Sequence, residues 1–241
     1  MSDPRTLVLF DIDGTLLDTL GAGIEAVRLA GVELIGPAFD EHKTTYAGCL
    51  DPVIFRDLLK AHGAPHAPDD VARFRERYAA HLPGAIDGHA GACAGAHDLV
   101  DALEREASVT LGLLTGNFPK TGSIKLRACG FEPERFPVRV WSSDAPGPEP
   151  KRTDMPPIGI ARWRELVGGS GGEDLGVPDD PRRTVIVGDT PEDVKCARAH
   201  GLRCLGVATE RYTTADLLAS GADRAVETLE QTDDLVAWIT G

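Results

Sequence analysis

Four short apolar runs punctuate the chain, at residues 7–10 (LVLF), 109–114 (VTLGLL), 184–187 (TVIV) and 203–207 (RCLGV). Each is bounded by turn-forming residues and lacks regular polar alternation, the pattern of a strand covered on both faces. Weaker runs at 137–141 and 225–228 predict two more strands, the second at a sheet edge. Between the runs the apolar spacing changes to that of a helix. Residues 96–106 place Leu99, Val100 and Leu103 on one face, and residues 191–200 do the same with Val194 and Ala197. Strands alternating with amphipathic helices predict a parallel, three-layer α/β core.

Residues 20–89 break the alternation. Ile24, Val27, Leu34 and Ile35 predict one helix. Asp51-Pro52 reads as an N-cap followed by proline at the first helical position, opening a helix that turns Ile54, Phe55, Leu58 and Leu59 inward. Val71, Phe74, Tyr78 and Leu82 recur at helical spacing in a third. The block therefore reads as an all-helical insertion (20–89) within a core made of residues 1–19 and 90–241, and the small-residue stretch GAIDGHAGACAGAH (84–97) reads as the return hinge. Residues 142–154 and 168–181 read as loops, the second a mobile, acidic, glycine-rich one. Phe74, Tyr78, Trp163 and Trp238 are expected to pack in cores.

Composition narrows the function. A chain of 241 residues can bury a sizeable core. Its 38 acidic residues against 25 basic ones give a formal charge of -13, which argues against a nucleic-acid surface but leaves room for a locally positive pocket for a small anion. Cys49, Cys93, Cys129, Cys196 and Cys204 are scattered, odd in number and without CxxC spacing, as expected of a reducing cytoplasm. The start of the chain lacks signal-peptide character, and no apolar run reaches membrane-spanning length, so a cytoplasmic protein without membrane partners is expected.

The chemistry concentrates at the ends of the predicted strands. Asp11 and Asp13 follow the first, where open α/β sheets bind ligands, and Gly14 and Thr15 turn the chain away. A calcium loop of the EF-hand type is excluded, because Gly14 stands fourth from Asp11 rather than sixth and the twelfth residue is Ala22 rather than Glu. Thr115, Gly116 and Asn117 follow the second strand. Gly188 and Asp189 end the third, with Asp193 one helical turn on, and the segment EPKRTDMPP supplies Lys151 and Arg152. Acids, a hydroxyl and a cation at neighbouring strand ends are what phosphoryl transfer through a carboxylate requires. The seven histidines form no pair with metal-ligand spacing and receive no catalytic role.

In this order, FDIDGTLLDT, LLTGN and VIVGDTPEDV resemble the signature set of the haloacid dehalogenase superfamily, specifically its phosphatase-like members, over nearly the whole chain. The resemblance implies a Rossmann-like core with the helical block as cap. It implies Asp11 as a nucleophile forming an aspartyl-phosphate, and Asp13 as the acid that protonates the leaving alcohol and then the base that activates water. The dehalogenating members lack an acid at the second position, so carbon–halogen cleavage is disfavoured. Asp189, the Asp11 carboxylate and the Asp13 backbone carbonyl would hold Mg²⁺. Thr115, with the backbone of Gly116 and Asn117, would hold the phosphate. Asp193 would orient the metal's waters or the basic residue, or else serve only as an acid at a helix start.

The basic residue departs from the family pattern, which has lysine in a Lys-Pro dipeptide. Here Arg152 occupies the expected place, with Lys151 one position away. Lys125, on an amphipathic helix, is expected to be a solvated surface lysine. Specificity is expected from the cap, with Lys43, Thr45 and Tyr46 in the segment 42–52 as candidate substrate contacts. The implied function is a Mg²⁺-dependent phosphatase of small phosphorylated metabolites, of the phosphoglycolate-phosphatase kind. A sugar phosphomutase and a catalytically silent regulatory module of the same fold remain alternatives, and monomer and dimer are both open.

Overall fold

The computed structural model describes residues 5–168 and 179–241. In chain order the elements are β1 (Thr6–Phe10), β2 (Leu17–Asp18), α1 (Ala22–Leu34), α2 (Asp51–Ala61), α3 (Pro68–Ile86), β3 (Gly91–Ala92), α4 (Ala96–Arg105), β4 (Val109–Leu114) and α5 (Pro119–Ala128). They continue with β5 (Val138–Val140), α6 (Pro156–Gly168), β6 (Thr184–Gly188), α7 (Pro191–Arg198), β7 (Arg203–Val207), α8 (Thr214–Ser220), β8 (Arg224–Val226) and α9 (Thr232–Thr240). The two weaker strand expectations become β5 and β8, the latter beginning one residue earlier than the pattern suggested. The predicted loop 142–154 contains short 3₁₀ turns at Ser142–Asp144 and Arg152–Asp154. Of the second predicted loop, residues 169–178 lie outside the described residues.

Six strands form a parallel sheet in the order β5-β4-β1-β6-β7-β8. Side chains alternate across it, as strand geometry requires. Val8 and Phe10 face a cluster completed by Leu99, Leu103, Leu126 and Leu235, so α4, α5 and α9 cover that face. Leu7 and Leu9 face a second cluster with Trp163, Val194 and Leu217, so α6, α7 and α8 cover the other. This is the three-layer Rossmann-like α/β arrangement expected from the apolar runs.

Strand register positions the site. Phe10 pairs with Leu113 on one side and Val187 on the other. The carboxyl ends of β4, β1 and β6 are therefore level, and the residues that follow them emerge side by side. Because β1 lies between strands reached in opposite directions along the sheet, those ends border the crevice where such folds bind ligands.

The inserted cap, helices α1–α3, has its own core. Ala26, Val27, Phe39, Ile54, Phe55, Leu58, Phe74, Tyr78 and Leu82 are buried together, and Phe118 from the α/β core joins them. Phe55 lies 4.9 Å from Phe74 and 6.0 Å from Phe118, ring centre to ring centre. The chain enters and leaves this unit through β2 and β3, which pair antiparallel with Leu17 opposite Ala92. The small-residue stretch at 84–97 is thus divided among the end of α3, β3 and the start of α4 rather than forming a single hinge.

Candidate active site

Asp11 follows β1 directly, its N–H donating to the Val187 carbonyl at 2.9 Å. Its side chain is buried, and the two carboxylate oxygens differ sharply. Oδ2 lies 3.0 Å from Nη2 of Arg152, whereas Oδ1 is buried without a hydrogen-bond partner. Burial pushes the Asp11 carboxyl up to about 6, against the pull of the Arg152 guanidinium.

Arg152 sits at the start of its 3₁₀ turn and is buried. Its Nη2 also donates to Asp193 Oδ1 at 2.6 Å and to the Leu114 carbonyl at 3.3 Å. Burial alone would lower its affinity for the proton, but Asp11 and Asp193 more than offset that and hold the charge. Asp193 is fixed in turn by the start of α7. Its Oδ2 accepts from the Thr190 N–H at 3.1 Å and from the Thr190 hydroxyl at 2.7 Å, a reciprocal cap that satisfies the helix N-terminus. A Cβ on Gly188 would overlap the Asp193 side chain, so the strand end must carry glycine. Of the two candidate cations, the structure brings Arg152 to Asp11 and leaves Lys151 exposed.

Asp13 stands in the turn beyond Asp11, with its side chain 42% exposed. Asn117 Nδ2 donates to its Oδ2 at 2.7 Å, and Lys125 Nζ donates to both oxygens, at 2.8 and 2.9 Å. Lys125 overturns the expectation of a surface lysine. It is 6% exposed and donates a further bond to Asn117 Oδ1 at 2.8 Å. Burial disfavours its charge, yet Asp13, Tyr78 and Asp51 raise its proton affinity above the ordinary lysine value. The signal that could have found it is the small residues on its side of α5. Thr121 and Gly122, four and three positions back, are buried on the same face, with Leu126 beside it.

Thr115 follows β4 fully buried, and its Oγ1 accepts from the Asn117 side-chain amide at 2.9 Å. Gly116 contacts the cap, since a Cβ there would overlap the Cys49 carbonyl and its own carbonyl accepts from the Asp51 N–H at 2.8 Å. Gly14 has φ 76°, in the left-handed region, and a Cβ there would overlap the Asp189 carboxylate. Thr15 is buried, with an unpartnered hydroxyl.

Asp189 follows β6. Asp11, Asp189 and Asp193 each bring one carboxylate oxygen into a group within 4.8 Å of one another. Burial pushes the Asp189 carboxyl up to about 9, and the negative charges of Asp193 and Asp11 add to it. An orphaned Asp11 oxygen beside a carboxylate so strongly raised is a donor set suited to a hard divalent cation. Asp193 has both oxygens engaged by Arg152 and Thr190, which leaves Asp11 and Asp189 as the carboxylates available to a metal.

These groups floor a cavity of about 310 Å³ roofed by the cap. Tyr46 lines it with Ala47, Gly48 and Cys49, whereas Lys43 and Thr45 are exposed and do not. The loop expected to face the site does so, through different residues. Asp51 is not the N-cap: that position is Leu50, and Asp51 is the first helical residue. Its carboxylate accepts from the Phe118 N–H at 3.1 Å, and burial pushes it up to about 7 against the pull of Lys125. Arg211, exposed between β7 and α8, also lines the cavity and had no distinguishing signal in the sequence.

Comparison with known proteins agrees with this geometry. The model for haloacid dehalogenase-like hydrolases matches residues 8–156, and one for HAD-hydrolase-like proteins matches residues 170–232. Tyrosine-protein kinase PtkA of Mycobacterium tuberculosis is 26% identical over 232 residues, covering 95% of this chain and 70% of that protein. A phosphoglycolate phosphatase (plasmid) of Cupriavidus necator is 28% identical over 240 residues, covering 95% and 92%. The crystal structure of CbbY from Rhodobacter sphaeroides in complex with phosphate shares the fold, with a TM-score of 0.70 and 22% identity over 94% of this chain and 96% of that one. The chain belongs to the haloacid dehalogenase-like hydrolase family.

Proposed function

We propose that this protein is a Mg²⁺-dependent phosphatase that hydrolyses small phosphate monoesters through an aspartyl-phosphate on Asp11. The reading places it in the reaction class named for its C. necator relative, with residues 20–89 as cap and residues 1–19 and 90–241 as catalytic core. Its free cysteines and acidic surface suit a cytoplasmic enzyme acting on a phosphorylated metabolite. The observation that carries it is the asymmetry of Asp11: Arg152 holds one oxygen, and the other is buried and free.

The chain's residues divide the work. Asp11 attacks phosphorus, the P–O ester bond breaks, and its electron pair leaves with the alcohol oxygen. Asp13, poised in the turn beyond, delivers a proton to that oxygen and later takes one from the water that cleaves the acyl phosphate. Arg152 neutralises Asp11 and the charge spread over the phosphoryl oxygens. Thr115, Asn117 and the backbone around Gly116 form the phosphate cradle, and Lys125 with Asn117 orients Asp13. Asp11, Asp189 and the Asp13 carbonyl would hold Mg²⁺. That ion, when bound, offsets the repulsion between carboxylates and a phosphate dianion.

The test is Mg²⁺-dependent release of inorganic phosphate from a panel of phosphate monoesters, with Asp11→Asn as control. Release by the wild type that drops on the order of 10³-fold or more in the variant supports the reading. No release from any ester, or release unchanged by the substitution, overturns it.

A further inference from the structure

The cap side of the cavity is where the alcohol carried by the phosphate must lie, and it has an unusual charge pattern. Three cations line the whole cavity among the described residues: Arg152, Lys125 and Arg211. Arg152 is committed to Asp11 and Asp193, and Lys125 to Asp13 and Asn117. Neither is free to receive a second anion.

No cation on the cap faces the cavity. Arg28 pairs with Glu25, Arg56 with Asp57 and Glu149, and Arg77 with Glu33, all at the surface, while Arg75 lies over the Phe118 ring. What the cap presents instead is apolar and acidic. Ile24, Val27, Ile54 and Phe55 form its wall with Tyr46 and Tyr78, Asp51 is its charged group, and Asp18, exposed on β2 of the core, lines the same side of the cavity. Each of these two carboxylates accepts a backbone N–H, from Leu20 at 2.7 Å and from Phe118 at 3.1 Å, and neither is paired with a cation across the cavity.

Resting on the phosphatase reading above, we infer that the substrate's leaving group is small, uncharged and partly apolar: a phosphate ester of a short neutral alcohol, carrying no second anion. An alcohol bearing a carboxylate or a second phosphate would meet two carboxylates and an apolar wall, with its charge stripped of water and no cation to receive it. A volume of about 310 Å³ stands at the low end of the ~300–1,000 Å³ typical of small-molecule sites. After the phosphoryl group is accommodated, a few carbons fill the rest. The same pattern weighs against the phosphomutase alternative, whose bisphosphate must seat a second phosphate against the cap. Arg211, exposed like Asp18 and outside the cap wall, is the one group among the described residues that could reverse this.

Steady-state hydrolysis decides the matter. Glycerol 3-phosphate and n-propyl phosphate serve as neutral-alcohol esters, phosphoglycolate and 3-phosphoglycerate as carboxylate-bearing ones, and fructose 1,6-bisphosphate as the double anion. p-Nitrophenyl phosphate serves as a generic ester. The expected result is a kcat/KM at least tenfold higher for the better neutral ester than for any anionic one. Val27→Lys, which adds a cation to the wall, is expected to narrow that ratio by raising phosphoglycolate turnover. Should the variant not fold, the wild-type ratio alone decides. Phosphoglycolate or the bisphosphate equal to or better than the neutral esters overturns the inference while leaving the phosphatase reading intact, and Arg211→Ala then shows whether Arg211 is what receives the second anion. Hydrolysis of no ester at all, p-nitrophenyl phosphate included, overturns the phosphatase reading and this inference with it.

Discussion

Lys125 Nζ lies 2.8 and 2.9 Å from the two carboxylate oxygens of Asp13, joining a buried helix position on α5 to the turn after β1. The same ammonium holds Asn117, which in turn holds Thr115, so one side chain ties the turn after β1 to the turn after β4.

Lys125→Met keeps the length and apolar stem of the side chain while removing the charge. Asp13 retains its bond from Asn117 and is partly solvated, so the stability cost is expected at about 1–3 kcal/mol, below that of breaking a fully buried pair. Phosphate release is expected to fall by roughly 10–100-fold, because the proton-transferring carboxylate loses its fixed orientation. Urea unfolding measures the first and steady-state assays the second.

Arg152 bridges two buried carboxylates, and its replacement leaves both uncompensated. Arg152→Met is expected to cost about 3–5 kcal/mol in unfolding free energy and to abolish activity. Arg152→Lys supplies charge without the guanidinium fork and is expected to recover part of the stability but little of the rate. Equal stability in the two variants would contradict the bridging role.

Asp51 sets a pH dependence of opposite sign to that of an ordinary ion-paired acid. Its carboxyl rises from 3.8 to about 7 on folding, so the folded state binds the proton more tightly than the unfolded one. The contribution is most favourable below about pH 4 and is lost as pH climbs through 7. Asp51→Asn removes this titration and keeps an acceptor for the Phe118 N–H. The variant is expected to gain on the wild type between pH 4 and pH 8, by on the order of a few kcal/mol, at roughly 2–4 °C in Tm per kcal/mol. Thermal melts across that range check it, and a gap that shrinks with rising pH would contradict it.

Mg²⁺ is expected to raise Tm at neutral pH by mass action, stabilising the fold by about 2.7 kcal/mol at a hundredfold excess over Kd. EDTA should remove both the shift and the phosphate release, and Mg²⁺ should restore both. Asp189→Asn is expected to lose most of the shift while Asp193→Asn, whose oxygens serve Arg152 and Thr190, destabilises the protein with or without the metal.

The core was legible in the sequence because burial on both faces imposes unbroken apolar runs, and the strand-end acids were legible because they interrupt those runs abruptly. Arg152 could be placed because it occupies the position of the family's lysine in the segment EPKRTDMPP. Lys125 was harder to place, since a lysine on an amphipathic helix has the pattern of a solvated face; its partner Asp13 stands 112 residues away, and the small residues at 121 and 122 are the one hint on its own helix. Lys43 and Thr45 lie outside the cavity lining for a related reason. The segment 42–52 does reach the cavity, but loop backbone follows no period that tells which residues turn inward, and Tyr46, Ala47, Gly48, Cys49 and Asp51 are the ones that line it. Asp51 looked like a cap because Asp-Pro has that chemistry, whereas its carboxylate is spent on a contact between domains.

The pairing of Leu17 with Ala92 and Asp18 with Gly91 brings the two ends of the helical unit within one strand spacing, about 4.8 Å. To the parallel sheet, the whole insertion is therefore equivalent to a short hairpin. Its length and content can change without altering the register of β1 against β4 and β6, which is what aligns Asp11, Thr115 and Asp189. The function proposed above thus puts selectivity and catalysis on separately variable parts of the chain, and exchanging the helical unit between β2 and β3 for another is a substitution the core has the geometry to accept.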